Sequence, residues 1–146
     1  TKLPTQIVSY DLSTPYGTLK QFEKEIKAGH PNSTLSYITP RLLTRAQSLL
    51  HVQPDGDMNK VLAACNQNNF CSLAVKSTSF TSNYQTFNYN YPVAGTHGAI
   101  LYFTLKYVNP VAAAIYGDKE VRVYMVGYNH DTNWVIDSFE VDYWSI

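Results

Sequence analysis

The clearest strand in the sequence is AILYFTLKYV, residues 99–108. Apolar side chains fall at its odd-numbered positions, including Leu101 and Phe103, whereas Tyr102 and Lys106 lie on the even-numbered side. Successive side chains of a strand point to opposite faces, so this segment predicts one apolar face and one polar-tipped face. That pattern is typical of an antiparallel sheet that packs a core on one side only.

Further segments rich in β-branched and aromatic residues predict strands at residues 72–80, 84–91, 121–128 and 134–143. Residues 129–133 predict a hairpin loop between the last two strands. In the last strand the alternation slips around Asp137 and Ser138, which predicts a β-bulge there. The back half of the chain is therefore predicted to be a meandering antiparallel sheet.

Two Thr-Pro pairs, at residues 14–15 and 39–40, mark helix starts in the front half. Thr suits the N-cap and Pro the first helical position. Apolar residues then recur at three- and four-residue spacing: Leu19, Phe22 and Ile26 in the first helix, and Leu42, Leu43, Ala46, Leu49 and Leu50 in the second. A short signal at residues 33–38 and a helix from 58 to about 66 complete this half. Helices followed by strands indicate an α+β fold, and we expect residues 1–146 to form one domain.

The composition excludes several classes of protein. With 45% apolar and 15% charged residues, the chain is not disordered, collagen-like or a coiled coil. Eleven Lys and Arg balance eleven Asp and Glu, so the charge gives no reason to expect nucleic acid or an anionic membrane as a partner. No apolar run reaches the roughly 18–20 residues that span a bilayer, so we expect the chain as given to be soluble. Its start at Thr1, without a signal peptide, predicts that a signal, lipobox or membrane anchor was removed upstream.

The two cysteines, Cys65 and Cys71, are separated by five residues. This spacing lacks the second pair of ligands that a zinc site needs, and it is not a Cys-x-x-Cys redox motif. We therefore expect a local disulfide, which implies an oxidising compartment, either the periplasm or the cell exterior. The alternatives are two unpaired cysteines buried as small apolar residues, or a redox or metal role.

Tyrosine is abundant, with twelve residues, and most of them fall on the predicted sheet. Tyr and Arg often anchor protein interfaces, because they bury a large flat group and keep a polar tip. Tyr102, Lys106, Arg122 and Tyr124 lie on the polar-tipped faces of two strands that we expect to be neighbours. We interpret these four residues as a candidate protein-binding surface. The alternative is that the tyrosines only pack the sheet and its edges.

Sequence motifs for catalysis or metal binding fail at their essential positions. The segment DGDMN at residues 55–59 is similar to the start of a calcium loop, but Lys60 stands where Gly is required and Asn66 where Glu is required. His130 and Asp131 are adjacent in a predicted hairpin, where we expect them to serve the turn. The sequence has no phosphate-binding glycine loop, nucleophile elbow or paired-histidine metal motif. We therefore predict no catalytic residue, no metal and no cofactor.

The order of these motifs resembles the nuclear transport factor 2-like superfamily. The Thr-Pro start, the first helix ending in KAGH at residues 27–30, the second Thr-Pro helix and the closing NWVIDSF at residues 133–139 are similar to that superfamily. The resemblance implies a cone, in which a strongly curved antiparallel sheet wraps around the first helix. For the cone to close, Trp134 and Ile136 must pack with residues of that helix and of the 99–108 strand: Leu19, Phe22, Leu101 and Phe103. The segment from 53 to 72, with its two cysteines, departs from the superfamily pattern.

The resemblance also implies an enzymatic alternative, because the superfamily includes ketosteroid isomerases and dehydratases. Such enzymes hold an acid–base Asp or His beside a Tyr inside the cone, where burial shifts its pKa towards neutrality. The residues that this would involve here are Asp11, His97, Asp137 and Asp142, with Tyr16 or Tyr102 as hydrogen-bond donors. None of them matches a catalytic position of the superfamily, and Asp137 corresponds to a structural residue in the closing motif.

Three functions are therefore open. The first is a non-enzymatic extracytoplasmic protein-binding domain, such as an immunity or inhibitor lipoprotein or a component of a secretion apparatus. The second is a small-molecule-binding or isomerase/dehydratase-like cone enzyme, and the third is a cytosolic transport or scaffold module. The expected disulfide and the missing catalytic motif favour the first, with a protein partner and with membrane attachment only through a removed anchor. A homodimer is also open.

The disulfide prediction can be tested directly. Thiol titration of the denatured, unreduced protein should find no free thiol if Cys65 and Cys71 are bonded. Closing so short a loop contributes at most about 2–3 kcal/mol, so reduction should lower the melting temperature without abolishing the fold. Two free thiols in the unreduced protein would contradict the prediction.

Overall fold

The computed structural model describes residues 10–55, 57–67, 75–80, 86–107, 109–141 and 144–145. The helices in these residues are α1 (Pro15–Lys27), a 3-10 helix (Pro31–Tyr37), α2 (Pro40–Leu50), α3 (Met58–Gln67) and α4 (Pro110–Tyr116). The strands are β1 (Val75–Phe80), β2 (Thr86–Asn88), β3 (His97–Tyr107), β4 (Lys119–Tyr128), β5 (Asn133–Val141) and β6 (Trp144–Ser145). The predicted α+β class is confirmed, with α1, α2 and α3 before the strands and α4 between β3 and β4.

The strands form one antiparallel sheet in the order β1-β3-β4-β5-β6. Strand β3 pairs with β4 along one edge. Along its other edge, β3 pairs with β2 at its first residues and with β1 at its later residues. Along the β3–β4 pair, Leu101 lies opposite Val123, and Tyr102 lies opposite Arg122. The register therefore puts apolar partners on one face and polar-tipped partners on the other.

The predicted helix starts are confirmed by their capping hydrogen bonds. The Thr14 hydroxyl accepts from the Gly17 amide at 3.0 Å, and the Thr39 hydroxyl accepts from the Leu42 amide at 3.3 Å. The same capping begins α4, where the Asn109 side chain accepts from the amides of the first turn and Pro110 follows. Helix α4 was not predicted, although its Asn-Pro start carries the same signal as the two Thr-Pro starts.

The predicted strand at residues 84–91 is too long at its carboxyl end. The chain leaves the ladder after β2, because Asn90 adopts a left-handed backbone with φ of 58° and the amides of Tyr89 and Asn90 both donate to the Thr96 carbonyl. Residues 89–96 therefore form a loop that returns the chain to β3. The amino-terminal parts of this strand prediction and of the one at 72–80 lie outside the described residues.

The core lies between the apolar face of the sheet and the helices α1 and α2. Its buried side chains are Leu19, Ile38, Leu42, Ala99, Leu101, Val121, Val123, Met125, Trp134 and Ile136. Phe22 and Phe103 are partly buried and pack against them. The expected contact of the last strand with α1 through Trp134 and Ile136 is confirmed.

The predicted β-bulge in the last strand is also confirmed. Tyr124 lies opposite Ser138, but the next residue of β4, Met125, lies opposite Ile136, so Asp137 is the extra residue. Beside the bulge, the Thr39 amide donates to the Ile136 carbonyl at 2.9 Å. The start of α2 is therefore joined to β5 through the backbone.

The predicted disulfide between Cys65 and Cys71 includes a residue that the structure does not describe. Cys65 lies in α3, but Cys71 is outside the described residues, so the disulfide stays a prediction.

Within the described residues, no helix has the length and apolar character to cross a membrane.

Replacing Trp134 tests the packing of the core. Trp134→Ala should lower the free energy of unfolding by about 3–5 kcal/mol, because it removes a large buried side chain and leaves a cavity. Leu49→Ala, at an exposed position of α2, should change it by less than about 0.5 kcal/mol. Urea denaturation of both variants measures the difference, and a Trp134→Ala variant as stable as the parent would contradict the packing described here.

Candidate functional site

The bulge in β5 turns the Asp137 carboxylate towards α2 and the loop after β2. Asp137 Oδ1 accepts from the Thr39 hydroxyl at 2.8 Å and from Arg41 Nε at 2.8 Å. Its Oδ2 accepts from Arg41 Nη2 at 2.5 Å and from the Tyr89 hydroxyl at 2.6 Å. Arg45 donates to the Asp137 backbone carbonyl. We call these five residues the Asp137 cluster.

The electrostatics of this cluster follow from burial and pairing. The Asp137 side chain is only 1% exposed. Burial alone would raise the pKa of Asp137, but hydrogen bonds from Arg41, Tyr89 and Thr39 outweigh it and hold the pKa below its usual value. Burial, together with the bond to Asp137, raises the pKa of Tyr89 to about 12. At neutral pH the cluster therefore contains a carboxylate, two guanidinium groups and a protonated phenol.

The cluster holds the fold together and leaves its carboxylate no free position for acid–base chemistry. Both oxygens of Asp137 already accept two hydrogen bonds each. The Arg41 guanidinium also lies 3.4 Å above the ring centre of Tyr91, in a cation–π contact. The interpretation of Asp137 as a structural residue agrees with these contacts.

A second pair of titratable groups lies at the hairpin end of the sheet. His97, at the start of β3, places Nδ1 2.7 Å from Asp131 Oδ2 in the turn between β4 and β5. Asp131 lies in the turn as expected and does not pair with His130, but it has in addition a contact with a residue outside the turn. The sequence did not indicate this pair, because its two members are 34 residues apart.

The turn that carries Asp131 has an unusual backbone. Asn129, His130 and Asp131 have φ values of 52°, 56° and 65°, in the left-handed region that Asn, His and Asp adopt more readily than other non-glycine residues. Asp131 also lies over Gly127, where an added Cβ would come within 2.5 Å of its Oδ1. A side chain at position 127 would therefore displace the Asp131 carboxylate.

A pocket of about 520 Å3 opens between the two loops at this end of the sheet. Residues 92–97 form one side and residues 127–131 the other, and we call it the hairpin pocket. The side chains of His97 and Asp131 are 45% and 34% exposed, so the pair is accessible to water.

Three of the four residues predicted to bind a partner lie together on the polar-tipped face of the sheet. Tyr102 lies opposite Arg122, and Tyr124 follows on the same face of β4. Arg122 donates to Glu140 Oε1 from Nε at 2.8 Å, and the Tyr124 hydroxyl donates to the same oxygen at 3.2 Å. We call Tyr102, Arg122, Tyr124 and Glu140 the outer face. Glu140 was not singled out from the sequence, although it falls on the same side of its strand.

The fourth predicted residue, Lys106, lies near the other end of β3. It forms an ion pair of 3.5 Å with Asp118, which follows α4. Lys106 and Tyr102 lie on the same face because both are even-numbered residues of one regular strand. Tyr102, Arg122, Tyr124 and Lys106 thus lie along one face of β3 and β4, with Lys106 at the end of this row.

The remaining candidates for catalysis are not brought together. Asp11 is exposed and accepts from the amide and hydroxyl of Ser13 at 2.9 and 2.7 Å, and these bonds lower its pKa. Tyr16 packs against the core, and Asp142 lies outside the described residues. Within the described ranges, no group of three or more His, Cys, Asp and Glu is arranged to hold a metal ion.

The Asp137 cluster makes stability depend on pH. The folded-state pKa of Asp137 lies below the unfolded value of about 3.9, so its stabilisation is present above that pH and is lost as the pH falls through the folded-state pKa. Asp137→Asn should cost about 2–3 kcal/mol at pH 7, less than for a fully buried pair because Arg41 is 40% exposed.

Urea denaturation at pH 7 and at pH 3 measures this effect. The difference between wild type and Asp137→Asn should shrink at the lower pH, whereas Asp118→Asn, at an exposed position, should change stability little at either pH. An Asp137→Asn penalty that is equal at both pH values would show that the charge of Asp137 does not stabilise the fold.

Comparison with protein-family models, with curated proteins and with solved structures gives no match to this chain. The resemblance to the nuclear transport factor 2-like superfamily therefore rests on the motifs of the sequence itself. What the chain does must be inferred from the contacts described above.

Proposed function

We propose that this chain is a non-enzymatic protein-binding domain that acts outside the cytoplasm and binds its partner through the outer face. The observation that carries the proposal is the placement of Tyr102, Arg122 and Tyr124 side by side on two central strands. All three are partly exposed, and Tyr102 is 37% exposed. Tyr and Arg are the residue types that most often anchor protein interfaces.

The outer face is ordered before any partner arrives. Glu140 holds Arg122 through two nitrogens, Nε at 2.8 Å and Nη2 at 2.7 Å. Tyr124 stacks on Tyr89, with ring centres 6.5 Å apart and planes inclined by 25°. Side chains fixed in this way lose little conformational entropy on binding, which favours association.

Exposed apolar residues lie where β3 and β4 are joined, beyond the Lys106–Asp118 pair. Val111 and Ile115 of α4 are each 67% exposed, and they are four residues apart, on one side of the helix. A protein interface of ordinary size covers about 800 Å² on each partner. An interface that ran from the outer face towards α4 would combine polar anchors with apolar area, which suits a protein better than a small ligand.

The proposal includes the finer description of the fold. A strongly curved, cone-shaped sheet and membership of the nuclear transport factor 2-like superfamily are supported by the two Thr-Pro helices, the antiparallel sheet and the bulge in its closing motif. Location in the periplasm or cell envelope is supported by the expected pairing of Cys65 with Cys71. An immunity or inhibitor lipoprotein, or a component of a secretion apparatus, combines these properties.

The isomerase or dehydratase alternative has one observation in its favour, the His97–Asp131 pair. An acid–base group of that kind works when it is kept away from water, so that its pKa moves towards neutrality. Both members of this pair are partly exposed, and the buried Asp137 is fully engaged by Thr39, Arg41 and Tyr89. The described residues therefore support binding better than catalysis.

Charge reversal on the outer face tests the proposal. Arg122→Glu should weaken binding at least tenfold, because it removes an anchor and places two carboxylates side by side. Lys106→Glu should weaken it less, since Lys106 lies at the end of the row. Lys60→Glu, at an exposed position of α3, is the matched control and should bind like wild type.

The partner is first recovered from periplasmic extract with the wild-type protein as bait, and the affinity of each purified variant for that partner is then measured. Equal binding by Arg122→Glu and Lys60→Glu would remove the outer face from the interface. Recovery of no partner, together with turnover of a steroid-like or polyketide-like substrate that requires one Asp or His, would favour the enzyme.

A further inference from the structure

The hairpin pocket is separate from the outer face and has the size of a small-molecule site. Its volume is about 520 Å3, within the range of about 300–1,000 Å3 that is usual for such sites. None of the four outer-face residues lines it. A ligand bound here would therefore be independent of the protein partner proposed above.

The pairing of His97 fixes which of its ring nitrogens can meet a ligand. Nδ1 lies 2.7 Å from Asp131 Oδ2, and an ionised carboxylate can only accept, so the proton of the neutral ring is on Nδ1. Nε2 is then a hydrogen-bond acceptor. Within the described part of the chain it has no protein partner, and His97 lines the pocket.

The turn that positions Asp131 uses residue types that suit its backbone. Asn129, His130 and Asp131 are all left-handed, and Asn, His and Asp adopt this conformation more readily than other non-glycine residues. The turn therefore holds the Asp131 carboxylate beside His97 at little cost in strain. The pair itself is 45% and 34% exposed, so it contributes little to stability and stays accessible to a ligand.

The lining of the pocket restricts the chemistry of its ligand. It contains Asp131 but no Lys or Arg, so it does not favour an anion. An ammonium group would compete with His97 for the Asp131 carboxylate. Tyr128 also lines the pocket, and burial raises the pKa of its phenol, which therefore stays uncharged at neutral pH.

A hydroxyl group suits His97, because it can donate a hydrogen bond to the Nε2 acceptor without carrying a charge. Apolar residues at 92–94 line the same pocket and suit the C–H face of a ring. We propose that the hairpin pocket binds a neutral, hydroxyl-rich ring compound of the sugar class, with His97 accepting a hydrogen bond from one of its hydroxyl groups.

Titration of the isotopically labelled chain, followed by amide chemical shifts, tests the proposal. The probes are D-glucose, N-acetyl-D-glucosamine and maltose. Acetate, a small anion, and ethanolamine, a small cation, are the charged controls. At least one sugar should give saturable shift changes confined to residues 92–97 and 127–131. Acetate and ethanolamine should give none there.

Three variants assign the binding to the His97–Asp131 pair. His97→Phe keeps a flat ring but removes the acceptor, and Asp131→Asn removes the charge while keeping a residue that tolerates the left-handed backbone. Each should weaken sugar binding by up to about tenfold, the loss expected for one hydrogen bond. His51→Asn, at an exposed left-handed position outside the pocket, should leave it unchanged.

Several results would overturn the proposal. They are the absence of saturable shifts with every sugar, shifts located away from the pocket, and binding that His97→Phe and Asp131→Asn leave unchanged. Saturable binding of acetate or ethanolamine alone would show that the pocket takes a charged ligand. If sugar binding fails while Arg122→Glu still weakens the protein complex, only the pocket proposal is lost.

Discussion

A buried carboxylate is the constraint on which the rest of this structure depends. Asp137 is almost completely removed from water, and an unpaired charge there would cost several kcal/mol of stability. Its donors come from two separate parts of the chain, namely Thr39 and Arg41 at the start of α2 and Tyr89 after β2. The bulge makes Asp137 the extra residue of β5, and its side chain thereby departs from the regular alternation of the strand. Cap, bulge and loop are therefore parts of one arrangement.

The Asp137 cluster also sets the geometry of the two surfaces where we place function. Tyr89 bonds to Asp137 at 2.6 Å and stacks on Tyr124, which fixes one member of the outer face. Arg41 bonds to Asp137 and lies 3.4 Å from the ring centre of Tyr91, which directly precedes the residues of the 89–96 loop that line the hairpin pocket. A change at the cluster should therefore disturb both surfaces, whereas a change at either surface need not disturb the other.

Features that depend on neighbouring residues were predictable from the sequence. The Thr-Pro caps, the face that carries Leu101, and the slip in alternation at Asp137 follow from local geometry, and each is confirmed. The pairs that build the sites were not predictable, because Arg41 and Asp137 are 96 residues apart and His97 and Asp131 are 34 apart. Nothing local distinguishes these side chains from others of their type, since only the sheet register and the turn bring each pair together. The α4 start at Asn109 was local, and its capping signal could have been recognised.

The energetics of the ion pairs separate structural residues from those available for function. The Asp137 carboxylate is buried, so removing one of its donors leaves a buried charged oxygen with too few hydrogen bonds and lowers stability. Stability alone is therefore enough to explain why these donors surround Asp137. Arg122, Glu140, His97 and Asp131 are each about one-third to one-half exposed, and pairs of this kind contribute little to folding. Arg122 directs two nitrogens at one Glu140 oxygen, and His97 lies 2.7 Å from Asp131, yet neither pair is buried as Asp137 is. Because these two pairs contribute little to folding, their residues can be replaced without loss of the fold. Binding at either surface can therefore be measured separately from stability, which is not possible at Asp137.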